Sequence, residues 1–186
     1  DHFLNYLREN NSSSHDIFIA TFYKFTFIDK SIEIKNIFNS YLIGSTLKGT
    51  IIIAKEGINA TIAGKKNCLL DFFLKISKIN KFKDLKPKYS ITAKNPFLRM
   101  KIKIKKEIVT IGDQSITPQK LVGEYIEPHD WNKFINNKDT MIIDTRNSYE
   151  VAIGTFKKSI NPGLNNFREF PKWVEKNLVN KNISKE

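Results

Sequence analysis

One stretch decides how the first half of this chain folds: Gly49-Thr-Ile-Ile-Ile-Ala-Lys-Glu-Gly-Ile-Asn-Ala-Thr-Ile-Ala63. Both of its ends are rich in β-branched residues, so Gly49–Ala54 and Ile58–Ala63 are predicted to be strands. Lys55-Glu56-Gly57 lies between them and predicts a tight turn. The stretch therefore predicts a β-hairpin.

Strand and helix patterns continue on both sides of this hairpin. Upstream, Ile17–Phe25 has the composition of a buried strand, and a helix that Asp29 or Ser31 can cap follows it. Downstream, a second helix follows Gly64, and Leu85–Thr92 is the predicted fourth strand. The order strand–helix–strand–strand–helix–strand is typical of the α+β ferredoxin-like, acylphosphatase-like fold. In that fold two helices cover one face of an antiparallel sheet and leave the other face available.

Residues 99–105 alternate strictly between cationic and apolar side chains. As a strand, this segment would place Met100, Ile102 and Ile104 on one face. The opposite face would then carry a row of four cations: Arg99, Lys101, Lys103 and Lys105. Such a row suits a phosphate backbone. It equally suits an edge strand that lysine protects against aggregation, so both interpretations stay open.

The positive charge of the chain is concentrated in its first part. The formal net charge is +12; residues 1–112 hold 20 Lys and Arg against 9 Asp and Glu, whereas residues 113–186 hold 11 against 10. A basic part and a nearly neutral part predict two modules, of which the first would bind a polyanion such as nucleic acid. The alternative is solvated surface charge, because the chain is rich in Lys, Asn and Ile together, as AT-rich coding would produce.

The second part contains the motif Ile143-Asp-Thr-Arg-Asn-Ser-Tyr-Glu-Val-Ala-Ile-Gly-Thr-Phe156. Met141–Ile143 is predicted to be a short strand that ends in charged residues. At the carboxyl end of a parallel strand, Asp144, Arg146 and Glu150 would border the usual ligand crevice of an α/β sheet. A structural ion pair between Arg146 and one of the two acids is the alternative. We favour a structural or supporting role over direct catalysis.

Other site classes find little support in the sequence. The single cysteine, Cys68, excludes an internal disulfide, fits a reducing compartment and has the spacing to pack beside Phe72. The three histidines are scattered, so no metal site is predicted, and His129 is interpreted as a residue at a helix start. No apolar run approaches the roughly 20 residues that span a bilayer, and the N-terminus lacks a signal-peptide pattern. We expect a cytoplasmic protein with no membrane partner.

Several segments together resemble one family, the rhodanese-related tRNA uridine 5-hydroxylases. The most specific are Ala54-Lys-Glu-Gly-Ile-Asn-Ala-Thr61, Leu98-Arg-Met-Lys-Ile102, the Ile143–Phe156 motif and Phe167-Arg-Glu-Phe-Pro171. The resemblance runs from about Ile17 to Leu178. It implies a ferredoxin-like N-terminal domain followed by an incomplete α/β rhodanese-like domain. The expected divisions are a leader at 1–16, the basic domain at 17–112, a linker at 113–124 and the rhodanese-like part at 125–186.

The resemblance also implies a function: oxygen-dependent 5-hydroxylation of the wobble uridine of tRNA, with molecular oxygen as co-substrate and any other cofactor unknown. The family's catalytic cysteine loop would lie beyond Glu186, so the resemblance implies no catalytic residue in this chain, which we expect to be inactive alone. Asp144, Arg146 and Glu150 would support that loop. The tRNA-contacting candidates are Lys55, Glu56, Asn59, Arg99, Lys101, Lys103 and Lys105.

Two other functions remain open at this point. The chain would be a non-enzymatic RNA- or protein-binding remnant of a split gene, or a sulfurtransferase of the rhodanese type. Besides tRNA, a C-terminal half of the protein or a second copy of the chain would then be a partner.

Overall fold

The computed structural model describes residues 16–109, 111 and 123–179. The chain divides into two compact units, Asp1–Val109 and Thr110–Glu186. The predicted leader, 1–16, and the predicted linker, 113–124, lie almost wholly outside the described residues, so the predicted divisions of the chain stay predictions.

The first unit is built on a single five-stranded sheet. Its strands lie in the order β4-β1-β3-β2-β5. The first four pair antiparallel, whereas β5 pairs parallel with β2 at the edge of the sheet. The bounds are Ile17–Phe25 for β1, Lys48–Ala54 for β2, Gly57–Gly64 for β3, Lys88–Thr92 for β4 and Met100–Ile104 for β5.

Two helices connect the strands of this sheet, α1 (Ser31–Leu42) and α2 (Lys66–Ile76). The predicted side-chain cap at Asp29 or Ser31 is wrong: Lys30 occupies the N-cap position, and no side chain bonds to the helix start there. Asp29 instead accepts a hydrogen bond from Lys81 Nζ at 3.3 Å. The strand and helix order confirms the ferredoxin-like, acylphosphatase-like prediction for this unit, to which β5 is an addition.

The core of the first unit lies between the two helices and one face of the sheet. Phe38 of α1 packs edge-on against Phe72 of α2, with ring centroids 5.9 Å apart, and Phe82 lies 5.6 Å from Phe38. The strands contribute alternate side chains to the same core: Phe18, Ala20, Phe22, Ile51, Ile53, Ile58, Ala60 and Ile62. Because side chains alternate along a strand, the remaining positions face the opposite side of the sheet.

Two glycines of the hairpin allow the central strands to approach closely. Gly57 has φ +151°, and a Cβ built there would lie 2.0 Å from the carbonyl oxygen of Lys24 on β1. Gly49 has φ +137°, and its Cβ would lie 2.2 Å from the carbonyl oxygen of Thr61. A side chain at either position would therefore separate two paired strands.

The second unit consists of short elements within residues 123–179. They are α3 (Trp131–Asn136), α4 (Ser148–Ile153), a 3₁₀ turn (Phe167–Glu169), α5 (Phe170–Val174) and a π turn (Glu175–Val179). The predicted strand at Met141–Ile143 is reduced to one parallel bridge between Ile143 and Ile160. A strand needs a hydrogen-bonded neighbour along its length, and in the described part of this unit only this pair supplies one.

Substitution of Gly57 tests the close approach of β1 and β3. We expect Gly57→Ala to destabilise the first unit by about 3 kcal/mol or more, because the methyl group meets backbone and the φ angle is strained. Gly44→Ala is the matched control, since Gly44 also has positive φ (+71°) but nothing lies within 4 Å of its Cβ position. That change should cost only about 1 kcal/mol.

Urea denaturation followed by far-UV circular dichroism measures both variants. Equal losses of stability in the two would show that the approach to β1 contributes nothing beyond the φ strain.

Candidate functional site

The cationic row lies along the face of the sheet that the helices leave open. Lys101 pairs with Thr50 and Lys103 with Ile52 across the β2–β5 ladder, and both lysines are exposed. Met100 and Ile102 face the other way and pack against the core. The alternation predicted from the sequence is confirmed for these four side chains.

Arg99 and Lys105 extend the row just beyond the two ends of β5. The carbonyl oxygen of Arg99 accepts a hydrogen bond from Gly49 N at 3.1 Å, and Lys105 N donates to the carbonyl oxygen of Ile53 at 2.9 Å. Backbone pairing with β2 therefore fixes both residues, and both are exposed. Because β5 is an edge strand, the row is placed equally well to protect the sheet edge and to meet an anionic partner.

The hairpin candidates Glu56 and Asn59 bind a segment that the sequence did not connect with them. Glu56 Oε1 accepts a hydrogen bond from Ile108 N at 2.6 Å, and Asn59 Nδ2 donates one to the carbonyl oxygen of Ile108 at 3.2 Å. Ile108 is buried, so these two side chains satisfy the backbone of a buried residue. They hold the segment after β5 against the hairpin, while Lys55 is exposed at the turn. Their binding to RNA stays a prediction.

In the second unit, Asp144 is the centre of a polar cluster. Its carboxylate accepts two hydrogen bonds from the Arg146 side chain, Nε to Oδ1 at 2.9 Å and Nη2 to Oδ2 at 2.6 Å. Thr155 Oγ1 donates a third bond to Oδ2 at 2.7 Å. Arg146 Nη2 also donates to the carbonyl oxygen of Gly154 at 2.7 Å. The cluster thus ties the start of the motif to its end, on either side of α4.

The two charges of this cluster stabilise each other. Hydrogen bonds from Arg146, then from Thr155, hold the pKa of the Asp144 carboxyl well below its usual range. The same interaction raises the pKa of Arg146. Asp144 is almost fully buried, at 9% exposed, whereas about half of the Arg146 side chain reaches solvent. The structural ion pair considered from the sequence is therefore present, with Asp144 as the acid.

Glu150 caps the start of α4. It forms a capping box with Asn147 at the start of α4, in which Asn147 N donates to Glu150 Oε2 at 3.2 Å. Such a box satisfies helix N–H groups that have no intrahelical partner. Sequence reasoning missed it, although the spacing Asn147-x-x-Glu150 is the signal that would have predicted it.

The remaining candidates lie apart from these two sites. Cys68 lies in α2, packs against the core, and its Sγ is 3.4 Å from Thr46 Oγ1. His129 is exposed, with Nε2 3.1 Å from Asp130 Oδ2. Within residues 16–109 and 123–179, no three His, Cys, Asp or Glu side chains are grouped to hold a metal ion. Among the helices that the structure describes, none combines the length and apolar character needed to cross a bilayer.

The chain is similar to proteins of known name over most of its length. Residues 17–108 match the UPF0176 acylphosphatase like domain. A protein of Prochlorococcus marinus (strain NATL2A) named tRNA uridine(34) hydroxylase is 44% identical over 162 residues, which are 86% of this chain and 51% of that protein. The chain is thus similar to a protein named tRNA uridine(34) hydroxylase, and it spans about half the length of that protein.

Two solved structures also match the chain over about half of its length. An acylphosphatase from Coxiella burnetii is 5% identical, with a TM-score of 0.32 over 47% of this chain and 90% of that one. Full-length HypF in its phosphate- and nucleotide-bound form is 18% identical, with a TM-score of 0.29 over 48% of this chain and 12% of that one.

Replacement of Asp144 should show the pH dependence of this cluster. Because the pKa of Asp144 is depressed in the folded state, its stabilising contribution is present above the unfolded pKa of about 4 and is lost as pH falls below it. We therefore expect Asp144→Asn to destabilise the second unit at pH 7. The difference from the unaltered chain should shrink as the pH is lowered through about 4.

Tryptophan fluorescence during urea denaturation is the measurement, because both tryptophans of the chain, Trp131 and Trp173, belong to the second unit. Asp139→Asn, at an exposed aspartate, is the control and should change little. A destabilisation by Asp144→Asn that is independent of pH would contradict the assigned ion pair.

Proposed function

We propose that this chain takes part in the oxygen-dependent 5-hydroxylation of the wobble uridine of tRNA. The observation that carries the proposal is the 44% identity to a protein named tRNA uridine(34) hydroxylase, which extends over both units of the chain. Molecular oxygen is the co-substrate that the family resemblance implies, and no further cofactor is assigned. The presence of a single cysteine suits a reducing compartment such as the cytoplasm, where tRNA is modified.

The first unit contributes tRNA binding in this proposal. Its cationic row presents ammonium and guanidinium groups, which form ion pairs with phosphates. Such ion pairs supply most of the non-specific affinity of proteins for nucleic acid. The row is exposed and on the face opposite the two helices of the first unit, which supports a role in binding over one in packing. Its four members are Arg99, Lys101, Lys103 and Lys105.

The second unit contributes part of a rhodanese-like site. In that type of site a cysteine thiolate lies in a loop whose backbone N–H groups point inward, and neighbouring side chains hold the surrounding turns in place. The bonds from Arg146 and Thr155 to Asp144 hold such a turn. Cys68, the single cysteine of these 186 residues, is packed in the first unit. We therefore assign no catalytic cysteine within these 186 residues, and positioning roles to Asp144, Arg146 and Glu150.

Reversal of the cationic row tests the proposed tRNA surface. The triple substitution Lys101→Glu, Lys103→Glu and Lys105→Glu shifts the charge by two at each site and takes the formal charge from +12 to +6. We expect weaker tRNA binding by at least about ten-fold, because three phosphates would no longer face a cation. The slope of log Kd against the logarithm of salt concentration should fall by about 3, which is about one for each of those phosphates.

A charge-matched control separates this row from the basic character of the whole unit. Lys78→Glu, Lys83→Glu and Lys86→Glu makes the same total change in charge at exposed positions that follow α2. Fluorescence anisotropy with labelled tRNA over a range of salt concentrations should show a clearly smaller effect for the control. Equal decreases in affinity and slope would mean that the row has no special part in binding.

A further inference from the structure

The open face of the sheet carries an ordered set of side chains beside the cationic row. Pairing across the ladders brings one residue from each strand to the same level: Lys88, Thr21, Thr61, Thr50 and Lys101. We call these five residues the threonine rung. Thr21 Oγ1 and Thr61 Oγ1 are 3.2 Å apart. Three hydroxyl groups thus lie in a line that has a lysine at each end, over about 19 Å of sheet at the usual strand spacing.

The next level along the strands presents an aromatic ring. Tyr23 of β1 lies beside Asn59 of β3, which lies beside Ile52 of β2, and Lys103 of β5 completes the level. Because Asn59 Nδ2 bonds to the carbonyl oxygen of the buried Ile108, the chain that leaves β5 covers the middle of this level. Tyr23 and Lys103 are the exposed residues at its two ends. The Tyr23 side chain is 48% exposed. The ring of Phe25 is 6.2 Å from that of Tyr23 in an edge-on arrangement. An exposed ring beside hydroxyl groups and cations is the combination that single-stranded nucleic acid binds.

The strand positions on this face carry charges of one sign. Among the positions of β1 to β5 that face the open side, all of which the structure describes, none is Asp or Glu. Lysines stand on both outer strands, at Lys88 on β4 and at Lys101 and Lys103 on β5. An anionic chain that crosses the sheet would therefore find a cation at either side and no repulsive carboxylate in the strands between.

We infer that this open face binds unpaired nucleotides of RNA, with a base stacked on the ring of Tyr23 and the flanking phosphates on Lys88, Lys101 and Lys103. The hydroxyl groups of the threonine rung donate and accept hydrogen bonds, as the 2′-hydroxyl of RNA does. In a duplex the π-faces of the bases are covered by their neighbours, so a duplex cannot stack on an exposed ring. The inference rests on the proposed function, and it adds the face of the sheet and the aromatic ring that would contact unpaired nucleotides.

The test compares two RNA probes that carry the same number of phosphates. One is a fluorescein-labelled oligouridylate, and the other is a labelled RNA duplex. Binding of each to the 186-residue chain is measured by fluorescence anisotropy. We expect Tyr23→Ala to weaken binding of the oligouridylate by about ten-fold and to leave duplex binding and the salt slope unchanged, because the substitution removes a ring and no charge.

Three further variants make the result specific to the aromatic ring. Tyr23→Phe keeps the ring and should bind both probes as the unaltered chain does. Tyr23→Leu keeps apolar bulk in the strand and should behave as Tyr23→Ala does, so the test survives if the alanine variant fails to fold. Tyr149→Ala removes a tyrosine that is 68% exposed in the second unit, and it should have no effect.

The outcomes separate this inference from the proposed function. If Tyr23→Ala and Tyr23→Leu bind the oligouridylate as tightly as the unaltered chain, or weaken both probes equally, stacking on this face is wrong. The proposed tRNA surface stands in that case as long as the Lys101, Lys103 and Lys105 reversal still weakens binding. If that reversal also leaves binding unchanged, the proposed RNA surface fails with the inference.

Discussion

The close approach of β3 to its neighbours is the constraint on which the first unit depends. β3 is paired on both sides, with β1 and with β2, and the backbone comes so near at Gly57 and Gly49 that a Cβ would touch a carbonyl oxygen. This central pairing sets which residues of every strand face the helices. A register slip of one residue would exchange the two faces, and Ile51, Ile58 and Ile62 would leave their places in the core.

The same alternation that builds the core also builds the candidate binding surface. Ile51 and Ile53 are buried beneath the helices, and their neighbours Thr50 and Ile52 lie beside Lys101 and Lys103 on the other side. Burial on one face thus fixes the cations on the opposite face without any interaction among the cations themselves. Glu56 and Asn59 add to this arrangement by holding the chain that leaves β5. The positions of these surface residues therefore follow from the fold itself, whatever the function of the chain.

Local patterns predicted the elements of the first unit but not the interactions between distant ones. The period-two alternation in Arg99–Lys105 indicated the two faces of β5, because that pattern is local. Its parallel pairing with β2, and the bond from Ile108 to Glu56, join residues about fifty positions apart, and no local pattern reports them. The cap prediction at Asp29 is wrong because Lys30 occupies the N-cap position, and the Asp29 carboxylate accepts a hydrogen bond from Lys81, 52 positions along the chain. In the second unit, Met141–Ile143 has the apolar character of a strand, but a strand also needs partners, and Ile160 supplies a single bridge.

Lysine footprinting by mass spectrometry tests most directly whether the open face of the sheet is the surface that meets tRNA. An acetylating reagent would be applied to the chain with and without tRNA, and the modification of each lysine compared. We predict that Lys88, Lys101 and Lys103 become less reactive when tRNA is bound, whereas the exposed residues Lys78, Lys83 and Lys86 keep their reactivity. Equal protection of the two sets, or full reactivity of the first set in the complex, would contradict the assignment.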